Sequence, residues 1–289
     1  MRVVVFSDVH ANLAALQAVL LHIESMAPDA VLVGGDVINR GPQPRECLEI
    51  ILEQVQRPGW QIIRGNHEDY VLRGAQGVDH LKEWERKVMA HTSWTVRRLE
   101  DHLDTIAAWP PETSLAAPDG TQLICTHASR KGNRVGLYTA MNDAELIDHA
   151  HPEARVLCVG HTHIPFVRPI GDRLIVNAGA VGMPFDGDHR SAYAALDWNG
   201  TGWSAEIIRV PYDRAATERA YHDTGYMTEG GPLVPVIHWE FRHARARLGY
   251  WHRMFEDDVA SGRLNLEESV QRVLEDRTQE TTSFIASHK

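Results

Sequence analysis

Short, unbroken apolar runs alternate with longer segments of helical periodicity through the first two-thirds of the chain. Val3-Val4-Val5-Phe6, Val31-Leu32-Val33, Ile62-Ile63, Leu123-Ile124-Cys125 and Val156-Leu157-Cys158-Val159 read as buried strands. Asn12 stands where it can cap a helix whose residues Leu13, Leu16, Leu20 and Ile23 share one face, and Pro28-Asp29 ends it. Pro44 to Val55 reads as a second helix. This β-α-β-α-β succession favours parallel strands. Between Glu68 and Trp109 the alternation stops, and the spacing of Leu81, Trp84, Val88, Leu99, Leu103 and Ile106 predicts mostly helical structure. Later the period falls to two. Phe166 to Ala178 and Ala192 to Val210 are predicted as hairpins turning at Gly171-Asp172 and Asn199-Gly200, completing a second sheet packed on the first. Residues 213–289 return to a polar, helical pattern broken at Gly230-Gly231-Pro232. Within them His238 to Arg253 collects Arg, His and aromatic residues, which suits a binding face, a dimer contact or a solvated amphipathic helix.

Each of the five apolar runs leads into a residue that can ligate a metal: Asp8-Val9-His10, Gly35-Asp36, Gly65-Asn66-His67-Glu68, His127 and Gly160-His161-Thr162-His163. In open α/β sheets the carboxyl ends of such strands converge on one crevice. Asp, Asn and His delivered there form a mixed oxygen and nitrogen set, suited to two hard or borderline divalent metals. The chain has 17 histidines, and a lone His or Asp after a strand is ordinarily a capped loop residue. Recurrence at five strand ends is what carries the argument. The helical stretch from Glu68 to Trp109 is then either a cap beside this site or packing onto the core.

In these motifs the chain resembles the calcineurin-like metallophosphoesterases, whose pattern is D-x-H, G-D, G-N-H-[DE], H and G-H-x-H. The match runs from about Arg2 to Val210. Gly35 to Pro42 and Arg64 to Glu68 are also similar to the protein serine/threonine phosphatases and the symmetrical diadenosine tetraphosphatases. Gly160 to His163 and Val176 to Gly182 resemble the small bacterial phosphodiesterases instead. There the usual form is Asn-Pro-Gly-Ser, so Ala178 and Ala180 are departures. The resemblance implies a four-layer α-β-β-α sandwich over residues 1–212, to which the chain's own periodicity adds a helical insertion at about 69–109 and a helical extension over 213–289.

The resemblance also implies roles. One metal would take Asp8, His10 and His163, the other Asn66, His127 and His161, with Asp36 bridging them. Manganese, iron or zinc suits so many imidazoles, and calcium does not. A hydroxide held between the two metals would attack phosphorus, with both cations stabilising the phosphoryl oxygens. His67 would assist the leaving group as a general acid or hydrogen-bond donor. Arg40 is a candidate phosphate ligand through its guanidinium fork, with a loop salt bridge as the alternative, and Arg130 is a second candidate. In the resembling protein phosphatases an Asp three residues beyond the bridging Asp hydrogen-bonds that His; here the position is Asn39. An amide supports an imidazolium less than a carboxylate does, which predicts a preference for esters with good leaving groups.

Composition narrows the field. Hydrophobic residues make up 43% of 289, and no apolar run approaches the roughly 18 residues of a membrane span. The first residues lack the layout of a signal peptide, and Cys47, Cys125 and Cys158 have no paired spacing, so reduced core thiols in a cytoplasmic protein are expected. A formal net charge of −10 opposes stable binding to duplex nucleic acid. The expected substrate is a small phosphomonoester, phosphodiester or nucleotide phosphoanhydride, and the protein a possible homodimer. A protein serine/threonine phosphatase, favoured by Gly41 after Arg40 and by Arg64 before Gly65, is one alternative. A metal-bound scaffold or sensor without turnover is another.

Overall fold

The computed structural model describes residues 1–276. Strands β1 (Arg2–Phe6), β2 (Ala30–Val33) and β3 (Trp60–Ile62) are parallel neighbours, linked by helices α1 (Leu13–Met26) and α2 (Pro44–Gln54). The Asn12 side chain caps α1 by accepting from the Ala15 N–H at 3.2 Å, and Ala27, at φ 45°, closes it in the left-handed conformation before Pro28. The insertion is helical: α3 (Asn66–Ala75), α4 (Glu83–Val88), α5 (Ala90–Arg98), a 3-10 turn (Glu100–His102) and α6 (Leu103–Ala107). Then follow β4 (Glu112–Ala116), β5 (Gln122–Thr126), α7 (Asp143–His149), β6 (Val156–Val159), β7 (Phe166–Ile170), β8 (Arg173–Asn177), β9 (Ser191–Trp198) and β10 (Trp203–Val210).

The strands form two five-stranded sheets, ordered β10-β9-β1-β2-β3 and β4-β5-β6-β8-β7. In β1 the alternation assigns each face. Val3 and Val5 meet Leu123, Cys125 and Cys158 between the sheets, whereas Val4 and Phe6 turn outward onto Leu16, Val19 and Ile23 of α1. Burial on both faces is why the run carries no polar residue. On the far side Leu146 of α7 covers Ile124, Leu157 and Ile175. The four-layer α-β-β-α sandwich is thus the observed architecture.

Both predicted hairpins exist, but the expectation that both complete the second sheet is corrected. β7 and β8 join it, whereas β9 pairs antiparallel with β1 and brings β10 to the edge of the first sheet. Residues Ser191 to Leu196 are buried on both faces, so β9 suits the interior of a sheet. β4 was not visible as a strand because Glu112, Ser114 and Ala116 of its alternating pattern face solvent.

After β10 come α8 (Arg214–Asp223), α9 (Tyr226–Glu229), α10 (Val234–His243), α11 (Leu248–Ala260) and α12 (Leu266–Glu275). α8 packs on α1 and α9 on α5, and Val236, Ile237, Trp251 and Val273 build a core with Val88 of α4 and Met183. The segment His238 to Arg253 is therefore not a solvated helix: Glu240, Phe241, Arg247 and Trp251 are all buried. Arg247 donates from Nε to the Val273 carbonyl at 2.8 Å, and the Trp251 indole N–H donates to Ser269 at 2.7 Å, so polar atoms there close the end of α12 and stitch it down. The three cysteines are free and buried. No helix among the described residues is long and apolar enough to cross a membrane. The C-terminal part of the 213–289 extension, from 277 on, lies outside the described residues.

Candidate metal centre

The loops after β1, β2, β3, β5 and β6 converge, and their close approach depends on glycine. Gly35 sits at φ 86°, and a Cβ there would strike the backbone of Gly65; a Cβ on Gly65 would strike the Asp36 carboxylate. Ten non-glycine residues among those described have positive φ. Eight belong to this crevice: Asp8, His10, Ala11, Asp36, Asn39, Arg40, His161 and His163. Such conformations cost about 1–3 kcal/mol each and persist where the surroundings over-determine them. Part of that support comes from Glu68, which is fully buried and accepts the N–H groups of Asp36 (2.8 Å), Val37 (2.9 Å), Ile38 (3.3 Å) and Gly65 (2.8 Å). Burial and the adjacent Asp36 push its carboxyl up to about 7, against the pull of those amides. Asn177 holds the last loop, donating to Gly160 O and Thr162 Oγ1 at 2.9 Å.

Backbone carbonyls set the tautomers of three imidazoles. Nδ1–H of His10 donates to Asn39 O (3.2 Å), that of His127 to Gly34 O (2.8 Å) and that of His163 to Met183 O (2.6 Å). A carbonyl only accepts, so in the neutral ring each Nε2 presents a lone pair inward. The His10 and His163 Nε2 atoms then face each other at 3.1 Å, with Asp8 Oδ1 3.1 Å from His163 Nε2 and 3.7 Å from His10 Nε2. Asp8 Oδ1 is buried and has no hydrogen-bond partner. A second convergence has the same character: His127 Nε2 lies 2.9 Å from Asn66 Oδ1 and 3.2 Å from Asp36 Oδ2, and His161 Nδ1 lies 2.8 Å from Asn66 Oδ1. So many ligating atoms aimed at one another are the signature of a cation site, and the ligand set fits a transition metal.

Two groups could each hold an ion, Asp8 with His10 and His163, and Asp36 with His127 and His161; within each, the ligand atoms lie within 4.8 Å of one another. Asp36 also approaches the first group, with Oδ2 at 3.9 Å from His10 Nε2. The local field favours positive charge: burial alone would lower His127, yet Asp36 and Asp8 raise it to about 10. His161 is lowered to about 3 by burial first and then by the neighbouring His127, against the pull of Asp8.

His67 stands beside this centre, grouped with His10 and Asp36, and burial holds it well below its ordinary value. Its partner is Asn39, through the amide nitrogen. The Arg40 N–H and the Thr95 hydroxyl donate to Asn39 Oδ1 (3.0 and 3.2 Å), which leaves Nδ2 to donate to Thr92 Oγ1 and to His67 Nδ1, both at 3.2 Å. His67 Nδ1 must then accept, so the ring proton sits on Nε2.

A cavity of about 700 Å³ opens from Asn66, His67 and His161 and is walled by the insertion and by Leu233, Leu248 and His252 of the extension. Arg40 lines it, paired with the buried Glu240, and its Nε is buried without a partner. Arg130 does not line it; it is exposed and bound to Asp148 through Nε (2.8 Å to O) and Nη2 (3.1 Å to Oδ1). Arg64 is turned away too, donating to Asp69 at 2.7 Å. The cavity adds Tyr70, Arg73, Trp84, His91 and Arg134, which lie on helices and loops whose patterns gave no sign of a shared site.

The family model of the calcineurin-like phosphoesterase superfamily domain matches residues 1–201. An uncharacterized protein of Methanocaldococcus jannaschii is 27% identical over 230 residues, covering 73% of this chain and 88% of that protein. Among solved structures, a metallophosphoesterase from Sphaerobacter thermophilus is 25% identical with a TM-score of 0.65, covering 84% of this chain and 100% of that one. A hypothetical protein from Pyrococcus horikoshii OT3 is 18% identical with a TM-score of 0.70, covering 85% of this chain and 99% of its own.

Proposed function

The chain belongs to the calcineurin-like phosphoesterase superfamily, and from that premise we propose that it hydrolyses small phosphate esters or nucleotide phosphoanhydrides on a pair of metal ions. The observation that carries this reading is the convergence of Asp8, His10, His163, Asp36, Asn66, His127 and His161, with Asp8 Oδ1 buried and unpartnered. Manganese, iron or zinc suits that set, and Asp36, which approaches both groups, would serve both. When bound, the pair supplies a nucleophile at neutral pH and offsets charge on the phosphoryl oxygens.

The chain's own residues do the rest. Asn39 keeps the His67 proton on Nε2, where it can be donated to the leaving-group oxygen. Arg40, at the cavity wall, orients the phosphate through its guanidinium. Helices of the insertion and the extension close the cavity and limit both solvent and substrate size.

The test is an assay of metal-loaded protein on p-nitrophenyl phosphate, its bis ester and diadenosine tetraphosphate, with metal content read by elemental analysis. Turnover of at least one substrate is expected, and Asp36→Asn should lose metal and activity together. An inactive Asp36→Asn protein with full metal content would overturn the shared role of Asp36. Metal-loaded wild type inert on all three would leave a scaffold or sensor.

A further inference from the structure

Two cations in the cavity have no place in the reading above. His67, Tyr70 and Arg73 follow one another at intervals of three residues along α3, so they share a face that runs outward from the metal ligand Asn66. The Tyr70 ring stands edge-on to His67, with centroids 5.1 Å apart. The Arg73 guanidinium lies 5.9 Å from the Tyr70 ring and that of Arg134, from the loop after β5, 5.1 Å from it. Both line the cavity, both are exposed, and neither pairs with a carboxylate among the described residues. The acids on the same walls are already engaged: Glu85 accepts the Lys82 N–H at 2.7 Å, and Glu256 lies 3.1 Å from His252 Nδ1. The indole N–H of Trp84, also on the wall, is buried without a partner.

In a chain of net charge −10 an arginine has carboxylates to choose from, so two that converge on one aromatic ring without an acid mark a place kept for an anion. Guanidinium forks match phosphate oxygens in geometry as well as charge. We propose that Arg73 and Arg134 form a second phosphate subsite, so that the substrate carries two phosphate groups, one at the metal centre and one held against Tyr70. The cavity, at about 700 Å³, has room for a ligand of nucleotide size. The proposal rests on the phosphoesterase reading and narrows it toward phosphoanhydrides and bisphosphorylated esters.

The experiment compares the metal-loaded full chain with its Arg73→Gln/Arg134→Gln variant. Both side chains are solvent-exposed, so the variant should fold with an unchanged melting temperature. Adenosine diphosphate carries two phosphates and p-nitrophenyl phosphate one. KM for the diphosphate should rise about tenfold or more on loss of two charge-assisted contacts, while KM for the aryl phosphate stays within about twofold. If the diphosphate is not turned over, its inhibition constant against the aryl phosphate replaces KM. A bisphosphorylated alkyl diol as inhibitor separates the two sources of a second phosphate: a shift for it as large as for the diphosphate means that the subsite does not require an anhydride. Equal shifts for the diphosphate and p-nitrophenyl phosphate, or no shift for either, overturn the proposal. Should wild type hydrolyse no phosphate ester, the phosphoesterase reading fails separately. Calorimetric titration with inorganic pyrophosphate then decides the subsite, by weaker or equal binding in the variant.

Discussion

Asn39 presents N–H to His67 where a carboxylate would present only acceptors, and this one substitution of atoms sets what His67 can do. A neutral ring with its proton on Nε2 can donate a hydrogen bond but is a poorer acid than an imidazolium. Aryl leaving groups need little protonation, alkyl ones much. His67→Ala should therefore cut kcat/KM for an alkyl phosphate by about 100-fold and for p-nitrophenyl phosphate far less, and Asn39→Asp should move the balance toward alkyl esters. Kinetics on the two substrates in wild type and both variants check this; an equal loss for both in His67→Ala would reduce His67 to positioning the phosphate. The residues that converge on the candidate metal centre were legible because each follows an apolar run that reads as a strand. The direction of the Asn39 amide was not, because it is dictated by a backbone N–H, that of Arg40, which any residue would supply. Nor does sequence announce the left-handed backbone at Asp8, His10, Asp36, His161 and His163, since Asp and His enter that region more often than most residues yet usually lie outside it.

At the scale of elements, the strands and helices that carry the centre follow from apolar period, whereas their partners do not. The turn at Asn199-Gly200 between β9 and β10 marks a hairpin but is silent on which sheet receives it. The extension is hard to read for a related reason: the charged residues of His238 to Arg253 look solvated in sequence, yet Glu240 and Arg247 are buried. Glu240 joins α10 to the site, pairing with Arg40 by Oε2 and accepting the N–H groups of Arg247 (2.6 Å) and Leu248 (2.8 Å) by Oε1. Removing one partner strands a buried charge, so Glu240→Met should cost about 3–5 kcal/mol in stability. Replacing both, Arg40→Met/Glu240→Met, should recover most of that loss, since an apolar pair of similar volume needs no desolvation offset. Activity should stay low in the double variant, because Arg40 is then absent from the cavity. Urea unfolding together with KM for p-nitrophenyl phosphate separates the two effects. A double variant with wild-type KM would show that Arg40 is a structural strut and not a phosphate ligand.

Across the whole molecule, the loops of the candidate metal centre, the insertion and the extension meet at a buried imidazole outside that centre. His91 on α5 faces the cavity, contacts Thr92 Oγ1 at 3.2 Å, and is held down to about 3 by burial first and then by the charges of Arg40 and His252. Arg40 comes from the loop after β2 and His252 from α11, so the three parts share its environment. The unfolded chain protonates this ring near its ordinary value of 6.5, but the folded chain resists until about pH 3. Its contribution to stability is thus fully present above 6.5 and is lost as the pH falls toward 3. Between pH 6 and 4 the unfolded state binds nearly one more proton here than the folded state, a slope of about 1.4 kcal/mol per pH unit. Metal release and the other buried imidazoles add their own slopes, but they are common to wild type and His91→Gln and cancel in the comparison. Free energies of unfolding measured in urea at pH 6, 5 and 4 should fall less steeply in His91→Gln, by close to one proton. Parallel lines would mean that His91 is already charged in the folded chain, and that the junction of the three parts opens to water before the fold gives way.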